Sequence, residues 1–166
     1  MIDLNQLIRH LGLEPLPVEG GYFRQTWVSD NLVSIPGYAS PRPAGTAIYY
    51  LLTSDPDSFS AMHRLASDET YHFYLGDPVE MLLLDEQGAA QRIVLGPDLL
   101  GAQHVQYIVS RLVWQGSRVI SGGRFALLGT TMAPGFDPRD FTLGRRDQLL
   151  RQFPSQAALV RALTRS

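Results

Sequence analysis

The stretch from residue 58 to residue 76 constrains the fold most, because two strand patterns follow each other across one short turn. In its first half, one face of the strand is apolar apart from His63, and the other face is mostly polar. Residues 66–68, Ala-Ser-Asp, are typical of a turn, and a second, aromatic-rich strand begins at Glu69 and ends at a Gly-Asp-Pro sequence. The sequence therefore predicts a β-hairpin that carries His63 on one arm and Glu69 or His72 on the other.

Short strand patterns continue through the chain, and helical patterns occur only near its two ends. Further β-prone runs occur at residues 46–53, 79–84, 90–95, 104–109 and 124–132. Amphipathic helical spacing occurs at residues 3–11 and again beyond residue 140. Roughly eight to ten short strands with terminal helices are typical of an all-β sandwich or barrel. The chain has 166 residues with neither a repeat nor a linker, so a single domain over residues 1–166 is predicted.

Charge and composition argue against several classes of function. The net charge is −2 and the charges are scattered, whereas recognition of nucleic-acid phosphates needs a basic surface. No apolar run approaches the roughly 20 residues of a membrane span, and the N-terminus lacks the pattern of a secretory signal. The absence of cysteine excludes disulfides and thiolate metal sites. We therefore expect a cytoplasmic protein that binds neither a membrane nor nucleic acid.

Several short motifs follow one another along the chain. They are Glu-Gly-Gly-Tyr-Phe-Arg at residues 19–24, Ser-Asp-Glu at 67–69, Trp-Gln at 114–115 and Ala-Pro-Gly-Phe-Asp at 133–137. In order and wording, these motifs resemble an uncharacterised cupin family that was long catalogued as a domain of unknown function. His63, Glu69 and Gly76 also have the spacing of the first motif common to cupins, in which Leu65 replaces the second histidine. The resemblance implies an all-β cupin jelly-roll barrel, or double-stranded β-helix, with short helices at the N- and C-termini.

A barrel of this kind can enclose a ligand-sized cavity, and alternation along the strands decides which side chains face it. If Glu69 faces inward, as the cupin resemblance implies, then Tyr71 and Phe73 face inward too and His72 faces outward. We favour this arrangement, with His63 and Glu69 as the catalytic residues. Tyr71, His72 and Phe73 are predicted to contact the substrate, and His72 is the second choice for an inward position.

Residues on two further strands are candidates for contacts with the substrate. Tyr22 and Arg24 alternate onto one face after the paired glycines, and a guanidinium is suited to grip a carboxylate or phosphate. Gln115 occupies the position of the last metal-binding histidine in the second cupin motif and is predicted to hold an anionic or carbonyl group. The expected ligand is therefore a small polar or anionic metabolite.

The residues at the cupin metal positions bear on the choice of cofactor. Metal-binding cupins use three histidines and one carboxylate, or close variants, and the corresponding positions here hold His63, Leu65, Glu69 and Gln115. One imidazole and one carboxylate fall short of the three protein ligands that a catalytic metal usually has. We therefore expect no cofactor. If a divalent metal does bind, the predicted ligands are His63, Glu69 and Gln115, with His72 added if its strand is bulged.

Several functions are consistent with these residues. One is a metal-free isomerase or epimerase, with His63 as the base and Glu69 orienting it, similar to the sugar-nucleotide epimerases of the RmlC-like cupins. The others are a mononuclear metal-dependent oxygenase or isomerase, a non-catalytic ligand sensor or carrier, and a buried structural pair that only joins two strands. The sequence leaves open whether the protein is an enzyme.

The chain is also predicted to form a homodimer. Cupins commonly pair through sheet edges, because an open jelly roll leaves strands with unpaired backbone groups. The continuous apolar runs at residues 46–52 and 79–84 are the predicted contacts of a two-fold dimer.

Overall fold

The computed structural model describes residues 2–38 and 40–165, which form two antiparallel β-sheets with short helices near both ends. The elements in chain order are α1 (Leu4–Leu11), β1 (Glu14–Pro15), β2 (Tyr22–Val28), β3 (Leu32–Val33), β4 (Arg42–Pro43), β5 (Thr46–Thr53), β6 (Ser60–Arg64), β7 (Glu69–Gly76), β8 (Val79–Leu84), β9 (Ala90–Leu95), β10 (Gln106–Val109), β11 (Trp114–Val119), β12 (Phe125–Met132), β13 (Thr142–Leu143), α2 (Arg146–Gln152) and α3 (Ala157–Ala162). Two 3₁₀ turns lie at Pro138–Asp140 and Pro154–Gln156.

The larger sheet has six strands in the order β1-β2-β5-β12-β7-β10, and the second has five in the order β13-β6-β11-β8-β9. A separate two-stranded ribbon joins β3 and β4. All strand pairs in the two large sheets are antiparallel, and strands that are distant in the chain are neighbours in each sheet. This arrangement confirms the predicted all-β jelly roll with helices at its ends.

The predicted hairpin of residues 58–76 is wrong, although both of its strands exist. β6 pairs with β11 and β13, whereas β7 pairs with β12 and β10. The chain therefore crosses from one sheet to the other between Arg64 and Glu69. Periodicity along the chain reveals each strand and its buried face, but it does not reveal which partner supplies the hydrogen bonds. As a result, His63 and Glu69 belong to opposite sheets rather than to one hairpin.

The predicted dimer contacts are also wrong, because neither apolar run lies at a sheet edge. β5 lies between β2 and β12, and β8 lies between β11 and β9. Their continuous apolar sequences reflect burial on both faces, since each strand packs against the barrel interior on one side and against further chain on the other. The homodimer itself stays a prediction, without these two surfaces as its contacts.

Three apolar clusters hold these layers together. The main cluster lies between the two sheets, and Tyr50, Met81 and Leu128 are among its buried members. A second cluster lies beneath α2 and α3, and a third lies beneath α1. The main cluster fills only part of the interior, and the remaining space is the cavity described next. Among the described residues, no helix is long and apolar enough to cross a membrane.

Candidate active site

A cavity of about 540 Å³ lies between the two sheets. Its walls are largely apolar and aromatic, and a few polar and acidic side chains converge on it. The residues that line it are Glu14, Leu16, Glu19, Phe23, Arg24, Gln25, Thr46, Ile48, Tyr50, His63, Leu65, Glu69, Tyr71, Thr130, Met132, Phe136, Pro138 and Phe141. The volume is that of a pocket for a small organic molecule.

His63 projects from β6 into this cavity and is almost fully buried, with 2% of its surface exposed. Its Nδ1 lies 2.8 Å from the backbone carbonyl oxygen of Ala61. Because a carbonyl oxygen can only accept, Nδ1 carries the hydrogen, and the neutral ring therefore has its lone pair on Nε2. The ring is also stacked on Phe141, with the centroids 5.1 Å apart. These contacts hold the ring in place and leave Nε2 as a base.

Glu69 faces His63 from the first position of β7 on the opposite sheet. Its Oε2 lies 4.0 Å from His63 Nε2 and accepts a hydrogen bond of 2.9 Å from Nε2 of Gln115. Burial raises the pKa of the Glu69 carboxyl above its usual value, and the charge of Glu19 raises it further. His63 and the hydrogen bonds from Thr130 and Gln115 oppose this increase. One cavity is thus lined by the imidazole of His63 and by the carboxyl of Glu69, whose pKa is raised.

Sequence reasoning missed Glu19, which is the second carboxylate at the inner part of the cavity. It lies in the turn before β2, and its Oε1 accepts a hydrogen bond of 2.8 Å from the hydroxyl of Ser60. Its backbone carbonyl accepts from the amide of Ala61 at 2.9 Å, so the turn is fixed against β6. The two glycines that follow Glu19 both have positive φ, and this bend places the Glu19 side chain in the cavity.

One further wall of the cavity is the segment that follows β12. It contributes Phe136, Pro138 and Phe141 to the lining. Arg42, which is 2% exposed, donates two hydrogen bonds of 2.9 Å to the two carboxylate oxygens of Asp140. This bidentate ion pair anchors the segment to β4 and thereby positions the three cavity side chains.

The predicted inward face of β2 is wrong. Phe23 and Gln25 line the cavity, whereas Tyr22 packs with the cluster beneath α1 on the outer side of the sheet. Arg24 reaches the cavity rim, but its guanidinium lies over the ring of Tyr49, 5.4 Å from the centroid. Tyr22 and Arg24 share one face of β2, as their alternation predicts. The sequence does not reveal that α1 covers this face.

Along β7, the alternation predicted from Glu69 holds at its start. Tyr71 lines the cavity, and His72 faces the outer side, where its Nε2 lies 2.9 Å from the hydroxyl of Thr131. Phe73 packs against the main core cluster instead of the cavity wall, because it lies further along the barrel, where apolar side chains fill the interior. The structure therefore does not place His72 and Phe73 in contact with a ligand of this cavity.

Gln115 stands opposite His63 on the neighbouring strand and acts on Glu69 rather than on the cavity. Its amide nitrogen is used by Glu69, and its Oε1 is buried without a hydrogen-bond partner. Leu65 fills the wall where a cupin metal site has its second histidine. Among the described residues, no group of three or more His, Asp or Glu side chains has a metal-binding arrangement. The donors present therefore do not fit the metal centre that cupins commonly have.

The raised pKa of Glu69 predicts how stability depends on pH. A carboxyl whose pKa is higher in the folded chain than in the unfolded chain stabilises the fold below the unfolded value, and this contribution is lost as pH rises through the folded pKa. A Glu69→Gln protein lacks this charge, so its melting temperature is expected to exceed that of the wild type increasingly as the pH rises from about 4 to about 8.

Thermal unfolding in a series of buffers measures this difference. A Glu86→Gln protein is the matched control, because the Glu86 side chain is 56% exposed. Its difference from the wild type should stay small throughout the range. A Glu69→Gln protein that becomes less stable than the wild type at high pH would contradict the prediction.

Comparison with known proteins decides the family. The family described as Cupin superfamily (DUF985), Cupin_5, matches residues 5–144. The chain belongs to this cupin family. The motifs noted in the sequence thus identified the family correctly. No curated protein is significantly similar to this cupin.

Solved structures agree with this assignment. A hypothetical protein from Leishmania major is 29% identical, with 99% of this chain and 100% of that chain covered and a TM-score of 0.89. A protein from Shewanella oneidensis is 31% identical over 99% of both chains, with a TM-score of 0.87. A dTDP sugar isomerase from Desulfovibrio desulfuricans is 17% identical, with 81% of this chain and 82% of that chain covered and a TM-score of 0.52, so it shares the fold.

Proposed function

We propose that this cupin binds a small polar carbonyl compound in its cavity and catalyses an isomerisation by transferring a proton next to the carbonyl group. The observation that carries the proposal is the fixed pair of His63 and Glu69. A neutral imidazole with its lone pair on Nε2 lies at the wall of a largely apolar cavity, and a carboxyl from the opposite sheet lies 4.0 Å away. The proposed proton transfer uses only side chains of this protein.

In this mechanism, Nε2 of His63 removes a proton from the carbon next to the carbonyl. The imidazolium that forms is stabilised by Glu69, whose orientation is fixed by Gln115. With a 2-hydroxy carbonyl substrate, the product of this proton removal is an enediolate, whose hydroxyl hydrogen moves to the former carbonyl oxygen. His63 then returns its proton to the former carbonyl carbon while the neighbouring carbon becomes the new carbonyl, and His63 regains its neutral form. The pair therefore ends the cycle in the protonation state in which it began.

Tyr71 is the candidate donor to the oxygen that becomes negatively charged. Burial raises the pKa of its hydroxyl well above 10, and the charges of Glu69 and Glu19 act in the same direction. The hydroxyl therefore stays protonated at neutral pH and can donate a hydrogen bond to an enolate oxygen. Its raised pKa makes it a hydrogen-bond donor rather than a strong acid.

The charges around the cavity argue against the anionic ligand that the sequence left open. Glu14, Glu19 and Glu69 line the cavity, and the guanidinium of Arg24 is stacked on Tyr49 instead of pointing inward. An anion would therefore meet carboxylates of its own sign without a cation to hold it. The Desulfovibrio protein is a dTDP sugar isomerase, but at 17% identity it shares only the fold with this chain.

The test is hydrogen–deuterium exchange at carbon in D2O, followed by NMR, with a panel of aldoses, ketoses and 2-oxo compounds. The wild type should exchange at least one compound, and a His63→Gln protein should do so at least about 100-fold more slowly. A His104→Gln protein is the matched control, since His104 is exposed on another part of the barrel, and it should keep the wild-type rate.

Two results would contradict the proposal. Exchange that is undiminished in folded His63→Gln protein would remove His63 from the mechanism. Saturable binding of panel compounds without exchange in the wild type would make the cavity a sensor or carrier site rather than an active site.

A further inference from the structure

We infer that the cavity selects an organic cation, namely a small primary amine with an apolar or aromatic body. The inference deepens the proposed function and rests on it, because it names the substrate class of the same cavity. The substrate of the isomerisation would then carry an ammonium group in addition to its carbonyl group. Two carboxylates, Glu19 and Glu69, line the cavity and would bind this ammonium group.

Each of these carboxylates has one oxygen held by a neutral donor. Ser60 donates to Oε1 of Glu19 at 2.8 Å, and Gln115 donates to Oε2 of Glu69 at 2.9 Å. No arginine or lysine side chain is paired with either group among the described residues. Thr130 also donates to Glu69. An ionised carboxylate has about four acceptor sites, so both groups can still accept hydrogen bonds from a ligand. An ammonium group has three N–H donors, and in this inference one ligand nitrogen donates to both carboxylates.

The charges of the cavity wall also favour a cation. Glu69 is 7% exposed, and the charge of Glu19 acts on it through an interior of low dielectric constant. Two carboxylates in one apolar space repel each other, and an ammonium between them removes this repulsion. Among the described residues that line the cavity, Arg24 is the only arginine, and its guanidinium lies over the ring of Tyr49. The protein therefore leaves the negative charge of the cavity to be balanced by its ligand.

A second observation, independent of the acidic pair, also points to a ligand. Nε2 of His63 is directed into the cavity from a residue that is 2% exposed, and it has no hydrogen-bond partner among the described residues. This nitrogen faces the cavity, so a further hydrogen-bond partner for it has to come from within the cavity. A ligand between His63, Glu19 and Glu69 would supply it. His63 would then remain free to take the carbon-bound proton, because the two carboxylates hold the ammonium.

The walls of the cavity suit the body of such an amine. Phe23, Tyr50, Tyr71 and Phe141 contribute aromatic rings to the lining. The faces of these rings attract cations and also bury apolar groups. A neutral alcohol would gain the apolar contacts only, since one hydroxyl donates one hydrogen bond. A carboxylate ligand would gain the same apolar contacts but would be repelled by Glu19 and Glu69.

Three probes of nearly equal shape test the inference: 2-phenylethylamine, 2-phenylethanol and phenylacetate. Binding to the wild-type protein at pH 8 is measured by calorimetry and by ligand-observed NMR. The amine is expected to bind at least about tenfold more tightly than the alcohol, and phenylacetate most weakly. An affinity for the alcohol or for phenylacetate that equals that for the amine would overturn the inference, as would failure of all three to bind.

Variants of Glu19 and Glu69 test whether these two carboxylates cause the preference for the amine. Glu69→Gln and Glu19→Gln should each reduce amine affinity by about tenfold or more and change alcohol affinity little. Glu86→Gln, at an exposed position that pairs with Arg64, should leave all three affinities unchanged. Amine binding that is unaffected by both cavity variants would overturn the inference even if the wild type prefers the amine.

The experiment separates this inference from the proposed function, because none of the probes is an aldehyde or ketone that could undergo the isomerisation. If the amine preference is absent while His63-dependent carbon exchange is present, only the substrate class is wrong. If the amine binds as expected but no compound undergoes exchange, including amino-ketones added to the panel, the isomerase mechanism is wrong and the cation site stands.

Discussion

A Gly20→Ala protein is expected to lose at least about 4 kcal/mol of its free energy of unfolding, which is a large loss for one added methyl group. Gly20 has a φ of +107°, a conformation that residues with a Cβ rarely adopt. A Cβ at this position would also collide with the backbone carbonyl oxygen of Phe59 and with the guanidinium of Arg165. The arginine side chain can move away, but the backbone of the neighbouring strand connection cannot do so without displacing β6.

Gly88→Ala separates the two causes. Gly88 has a φ of +90° in an open turn, and a Cβ there would meet nothing within 4 Å. This variant should therefore show only the backbone strain, about 1–2 kcal/mol. Urea unfolding of both proteins and the wild type provides the comparison. Equal losses would show that the collision with Phe59 contributes nothing.

The same position couples stability to the site. The carbonyl oxygen of Gly20 accepts a hydrogen bond of 3.0 Å from the buried hydroxyl of Tyr50, and the residue before it is Glu19. A displaced turn would therefore move a carboxylate and an aromatic ring of the cavity together. Any Gly20→Ala protein that does fold is expected to bind 2-phenylethylamine more weakly than the Gly88→Ala protein.

A Leu65→His protein is expected to gain affinity for a divalent metal of about 100-fold or more over the wild type. Leu65 is 4% exposed and lines the cavity beside His63 and Glu69. An imidazole at this position would raise the number of strong donors to three, which is the usual protein contribution to a catalytic metal centre. Leu65 and Gln115 are the two positions that differ from a three-histidine cupin metal site, and Leu65→His restores one of them.

Titration with Co²⁺, followed by its visible absorption bands, measures the gain directly. Leu65→Asn is the matched control, because it adds a polar side chain without an imidazole and should stay close to the wild type. Adding Glu69→Gln to Leu65→His should remove most of the gained affinity. If Leu65→His binds Co²⁺ no better than Leu65→Asn, donors at these positions cannot converge on one ion.

Alternation along single strands predicted much of this site from the sequence. His63, Glu69 and Tyr71 face the cavity because each lies on the inward side of a strand whose pattern can be recognised locally. Pairing between strands was not predictable in this way. The assignment of β6 and β7 to one hairpin failed because their hydrogen-bond partners are β11 and β12, which lie far along the chain.

The remaining errors have the same physical origin. Glu19 was missed because it lies in a turn, where no periodicity indicates the direction of a side chain. Arg24 was expected in the cavity because its chemistry suits an anion, yet Tyr49 on the adjacent strand offers its ring on the outer face. In both cases, a neighbour that is distant in sequence decides where a polar group lies.

The placement of His63 and Glu69 on opposite sheets has a consequence for how the protein can change. Their separation follows the spacing between the two sheets, which is set by the volume of the apolar side chains packed between them. A substitution such as Leu83→Ala, outside the cavity wall, therefore alters the gap across which the two groups act. Under the proposed mechanism, proton transfer therefore depends on how the whole interior packs, so changes in core volume would affect catalysis as well as stability.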